Sequence, residues 1–173
     1  MAEKKNPTIM PSRKKPGINL NEFSIGATAA IITSMGLIAG LTQGYDAKVG
    51  IITGLLIIAI ADNISDSFSI HIYKESLGAS RLDTDSATFG NFIVRLFLVF
   101  TFVLIVLLFP PYTAFIASSI WGLALLSVLS YLIAKSKETQ PLREVAWHLI
   151  VALLVIAGSR LLGNFILNLV VAL

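Results

Sequence analysis

The chain has 173 residues, enough for one domain, and 55% of them are hydrophobic while only 13% are charged. That charged share is about half the usual one in soluble domains and cannot cover a water-exposed surface, so a water-soluble fold, a disordered chain and an acidic scaffold are excluded. The absence of cysteine excludes a disulfide framework, a cysteine nucleophile and a thiolate metal site. The positive net charge of +3 is owed to the first 15 residues, where Lys4, Lys5, Arg13, Lys14 and Lys15 against Glu3 sum to +4. It therefore marks no nucleic-acid partner, and the composition is that of a membrane protein.

A transmembrane helix needs about 20 mostly apolar residues, and five segments qualify. The first runs from about Ile25 to Thr42. The second, Val49 to Tyr73, becomes polar halfway. The third, Phe89 to Phe109, ends at Pro110 and Pro111, which a helix does not easily continue through. The fourth covers Tyr112 to about Ala134, and the last about Val145 to 172, long enough to span with tilt. Residues 1–20 read as a disordered basic cytoplasmic tail, and 21–173 as one five-span domain. No cleavable signal peptide is expected, because no small-residue cleavage site follows the basic tail. The stretch from Lys74 to Thr88 is expected to be the longest loop.

Lysine and arginine set the expected orientation. The tail, the loop with Lys74 and Arg81, and the loop with Lys135, Lys137 and Arg143 are basic. The other side carries only Lys48. The expected fold is thus an all-α integral membrane five-helix bundle, N-terminus cytoplasmic and C-terminus outside, with the plasma membrane as its expected site.

Polar residues at membrane depth are the informative ones. Helical spacing places Asp62, Ser65, Asp66, Ser69 and Tyr73 along one stripe of the second span, with Asn63 beside it and His71 on the far side. A carboxylate unpaired at a helix centre costs about 3 kcal/mol, so Asp62 and Asp66 should face a bundle interior, a cavity or a subunit contact. Two explanations stay open. One is ion pairing, with Asp62 matched in depth to Arg160 and Asp66 to Arg95. The other is a cation or proton site using at least one of the carboxylates.

Span five carries Arg160, Asn164 and Asn168 at four-residue spacing, where interhelical hydrogen bonding is the plain reading. Span one presents Ala29, Thr33, Gly36, Gly40 and Gly44 as a small-residue face, suited to close packing within the chain or to a dimer contact. Trp147 and His148 read as interfacial anchors. Lys74, Glu75, Asp83 and Asp85 read as solvated loop charges. No phosphate loop, zinc-protease motif or dinucleotide fingerprint occurs, and no nucleophile–base set is placed. No enzyme and no bound cofactor are expected.

Several segments resemble the vacuolar iron transporter family. Gly26-Ala27-Thr28-Ala29-Ala30-Ile31-Ile32-Thr33-Ser34 is similar to that family's first-span motif Gly-Ala-Asn-Asp-Gly-Ile-Val-Ser. Ile60-Ala61-Asp62-Asn63-Ile64-Ser65 resembles its second-span Ala-Asp-Ala-Ile-Ser-Met pattern. Pro141-Leu142-Arg143, leading to Gly158 and Leu161-Leu162-Gly163, resembles its last span. The resemblance implies a dimeric five-span fold that moves ferrous iron or manganese out of the cytosol. This chain departs from the pattern: the family's first-span aspartate falls on Ala29, its second-span methionine on Asp66, and the glutamate-rich cytosolic insert is missing.

The expectation is a homodimeric, transporter-like protein for a divalent cation of the iron or manganese type, with proton coupling. Asp62 and Asp66 would be the metal or proton ligands, and Asn63, Ser65 and Ser69 polar support. Arg95, Arg160 and Asn164 would be counter-charges. The alternative is a non-transporting membrane scaffold or partner subunit whose buried charges are structural pairs.

Overall fold

The computed structural model describes residues 20–172, all of them in helices or the turns between helices. Five helices are long and apolar enough to cross a membrane. They are α1 (Leu20–Leu41), α2 (Ala47–Ser76), α3 (Arg81–Leu108), α4 (Pro111–Ser136) and α5 (Pro141–Val171). The basic tail expected over residues 1–20 falls, apart from Leu20, outside the described residues.

Local chemistry sets the helix ends. Pro111 and Pro141 open α4 and α5 in the first turn, where a missing N–H costs nothing. Ser80 caps α3 by accepting the Asp83 N–H at 3.2 Å. The turn before it closes at Gly78, whose φ of 69° suits glycine. These two signals correct the expected Lys74–Thr88 loop. The chain is helical through Ser76 and again from Arg81, so only a four-residue turn separates α2 from α3.

α2 is not a uniform α-helix. Residues Ile58–Asp62 form one wider π-type turn, in which the Asn63 N–H donates to the Ile58 carbonyl five residues back. A four-residue period drifts about 40° per repeat on a straight α-helix. The wider turn takes part of that drift back and keeps Ala47, Ile51, Leu55, Ala59, Asn63 and Ser67 on the inner side.

α1 is the most enclosed helix, packed against α3, α4 and α5, while α2 lies mainly on α3. Ile31, Met35 and Ile38 of α1 meet Val99, Phe102 and Val106 of α3 and Leu126 of α4 in one apolar cluster. Small residues let the backbones approach. A Cβ on Gly122 would collide with the Met35 side chain, and one on Gly163 with the Gly40 carbonyl oxygen. Gly36 and Gly40 face Ser159, so the small face of α1 is used inside the chain, against a matching small face on α5. Gly44 does not belong to that face: α1 ends at Leu41, and Gly44 lies in the following turn. Thr33 is exposed, and its hydroxyl donates to its own helix at Ala29. Leu104, Leu107, Phe97, Leu161 and Phe165 are among the large apolar side chains on the outside of the bundle, as a lipid-facing surface requires.

Candidate functional site

The inner sides of α2 and α3 change character at the same level. From the Lys48 end, α2 buries Ala47, Ile51, Leu55 and Ala59, and α3 correspondingly buries Val106, Phe102 and Val99. Towards the basic end, α2 then turns inward Asn63 and Ser67, followed by half-buried His71. α3 offers Arg95, Asn91, half-buried Thr88, and Thr84. The dry half and the polar half meet at Arg95.

Arg95 is the charge around which the site is built. Its side chain is 2% exposed, whereas those of Asp62 and Asp66 are 44% and 43% exposed. Nη2 donates to Asp62 Oδ2 at 2.6 Å, and Nη1 forms a short ion pair with Asp66 Oδ2. Nη1 also donates to the Gly26 carbonyl of α1 at 3.3 Å. One planar guanidinium thus joins three helices through charge-assisted bonds. Gly26 permits this approach, since a Cβ there would overlap the Asn91 side chain and crowd Arg95. Two carboxylates and one guanidinium sum to a single negative charge.

The pairing of Asp66 with Arg95 is present, but that of Asp62 with Arg160 is not. Arg160 instead lies over the Phe115 ring, 4.8 Å from its centre. The reason is depth. Gly26 marks the level of the cluster on α1, while Gly40 marks that of Ser159 and Gly163, roughly 20 Å away at about 1.5 Å per residue. Asn164 is half-buried and Asn168 exposed on the same helix.

The expected polar support is distributed differently. Ser65 and Ser69 lie on the exposed side of α2, and the Ser69 hydroxyl donates to the Ser65 carbonyl at 2.9 Å. Asn63 turns away from the carboxylates and donates through Nδ2 to the Phe92 carbonyl at 2.8 Å. His148 is no free anchor, for its Nδ1 lies 2.8 Å from the buried Ser130 hydroxyl. Asp83 and Asp85 are not merely solvated: Ser80 Oγ donates to Asp83 Oδ2 at 2.7 Å, and Asp85 stands 3.8 Å from His71 Nδ1.

The face of Asp62 does not by itself disclose a second polar stripe on α2. Asn63, Ser67 and His71 are spaced by four, one residue out of step with Asp62 and Asp66. They face Asn91 and Thr88, with Asn91 Nδ2 donating to Ser67 Oγ at 3.2 Å and Thr88 Oγ1 3.5 Å from His71 Nδ1. That repeat, and the matching one on α3, were signals available in the sequence.

Among the described residues no group of three or more histidine, cysteine, aspartate or glutamate side chains is gathered as a metal site. The fold and cluster define an all-helical membrane-spanning bundle with a carboxylate pair clamped by one arginine. No protein-family model, no curated protein and no solved structure matches the chain.

Proposed function

We propose that this chain is a cation-moving membrane protein in which Asp62 and Asp66 bind the cation and Arg95 is their resident counter-charge. The observation that carries this reading is the charge sum. A buried arginine faces two carboxylates that both stay partly open, so by formal charge the acids outnumber the base two to one. Charge left inside a membrane is costly and marks ion or proton pathways. One proton neutralises the cluster with Arg95 in place. A divalent ion of the iron or manganese type, as the vacuolar iron transporter resemblance implies, requires Arg95 to swing away from the oxygens. Cargo and proton then compete for the same two side chains, which is a physical basis for exchange.

The basic segments support an N-terminus in the cytoplasm and a C-terminus outside, and the plasma membrane is the proposed site. A second copy of the chain is the natural cover for carboxylates that would otherwise meet lipid.

A second reading has its own support. Arg95 ties α1, α2 and α3 together, so the same bonds serve a scaffold that moves nothing. Purified protein in liposomes separates the two when Mn²⁺ and Fe²⁺ entry and internal pH are recorded together. The transporter reading expects ion entry coupled to pH change, lowered at least tenfold in Asp66→Asn and Asp62→Asn proteins that remain folded. Well-folded wild type that passes neither metal nor protons across an imposed gradient establishes the scaffold instead.

A further inference from the structure

Three buried polar atoms at the deep end of the α2–α3 seam have no hydrogen-bond partner among the described residues: Asn63 Oδ1, Asn91 Oδ1 and Arg95 Nε. Leaving such atoms unmatched costs about 1–3 kcal/mol each. Asn91 and Arg95 are one turn apart on α3, and Asn63 is fixed at their level by its bond to Phe92. Waters would complement them by accepting from Nε–H and donating to the amide oxygens, of which Asn91 Oδ1 lies against Gly26 of α1.

From that point the polar groups continue towards the basic end, through Asn91 and Ser67 to Thr88 and then His71. Open space follows them. A pocket of about 270 Å³ at the end of the bundle is bordered by His71, Glu75, Arg81, Thr84 and Asp85. An open, largely apolar groove of about 310 Å³ shares Asp85 with it and runs past Thr88 and Ser67 to Ile64 and Phe92, between Phe68 and Phe89. Ser67 thus borders the open space and accepts the Asn91 amide.

We propose that the seam between α2 and α3 is a hydrated proton path linking the Asp62–Arg95–Asp66 cluster to the His71–Asp85 pair at the basic end. The inference rests on the cation-moving reading and names the route by which protons reach that site. The chemistry balances at each step. A water or hydroxyl accepts one proton on one side and releases one on the other, so one proton passes along and the seam is left unchanged. Ser67, Thr88 and the waters relay; the Asn63 and Asn91 amides only orient them. Glu75 and Arg81 flank the mouth beside His71 and Asp85.

The test uses two nearly isosteric side chains at one position. Ser67→Thr keeps the hydroxyl and Ser67→Val removes it, with the same added bulk. Each is reconstituted in liposomes containing a pH dye, with a proton gradient and a potassium diffusion potential imposed. The expected result is proton flux within about threefold of wild type for Ser67→Thr and reduced at least tenfold for Ser67→Val. Equal flux in the two variants, high or low, overturns the path, because bulk alone then explains it. Should both fail to fold, Thr88→Val against Thr88→Ser gives the same comparison. Flux lost in Asp66→Asn but indifferent to the seam variants leaves the function standing and removes only the route. No flux in folded wild type removes both.

Discussion

Replacing Arg95 by methionine, similar in length and uncharged, leaves Asp62 and Asp66 as two neighbouring negative charges without their counter-ion. The carboxylates left behind are 44% and 43% exposed, so the cost should fall below the about 3–5 kcal/mol of a fully buried pair, and Arg95→Met should lower the thermal unfolding midpoint in detergent accordingly. Adding Asp62→Asn and Asp66→Asn to Arg95→Met should restore most of that loss, since removing every charge of a buried cluster is often neutral. A triple variant no more stable than Arg95→Met would show that Arg95 acts through packing, not charge. At this scale the sequence was partly legible. Two carboxylates on one face of an apolar helix call for a charged partner, which the structure supplies as Arg95. Their partner was harder to read, because depth counted from helix ends takes no account of how helices are offset. Only the contacts of Gly26 and Gly40 along α1 reveal that Arg160 lies at another level.

The α1–α5 contact depends on side chains being absent. Gly163→Ala would push a methyl group into the Gly40 carbonyl, a backbone atom that cannot move aside. A destabilisation of about 1–3 kcal/mol is expected, seen as a lower unfolding midpoint. Gly158→Ala, on the same helix, meets nothing within 4 Å and should be neutral or gain up to about 1 kcal/mol from helix propensity. Equal effects at the two positions would mean that α5 does not rest on α1 as described. The helices themselves were legible from apolar length and proline punctuation. Their ends near Ser76 and Arg81 were not, since polar residues beyond the apolar core continue a helix when a cap such as Ser80 supports it. The wide turn in α2 had no sequence mark either: Ile-Ala-Ile-Ala-Asp contains neither proline nor glycine, and its register is set by packing on α3.

Seen whole, the bundle encloses α1, while α5 leaves most of its surface outside and α2 leaves its carboxylates partly uncovered. A second copy related by a two-fold axis would cover those carboxylates. Light scattering of the protein in a mild detergent, corrected for bound detergent, should then give twice the 18.7 kDa chain mass. A mass of one chain across the working concentration range would require a water-filled recess in the single bundle instead. The five-span architecture was legible because lipid demands long apolar helices. The polar half of the α2–α3 seam was not resolved as one feature, because it is shared by two helices and neither alone carries more than every fourth residue of it.

The wide turn at Ile58–Asp62 has a mechanical consequence. It holds one residue more than a regular turn, and such a surplus can travel along a helix by exchanging one backbone hydrogen bond for the next. Moving it past Asp66 would rotate that carboxylate by about 100° around the helix axis, while both ends of α2 stay in place. The oxygens can thus leave the guanidinium without moving the connections at Asp46 or Gly78, so release at the centre need not be felt at either surface.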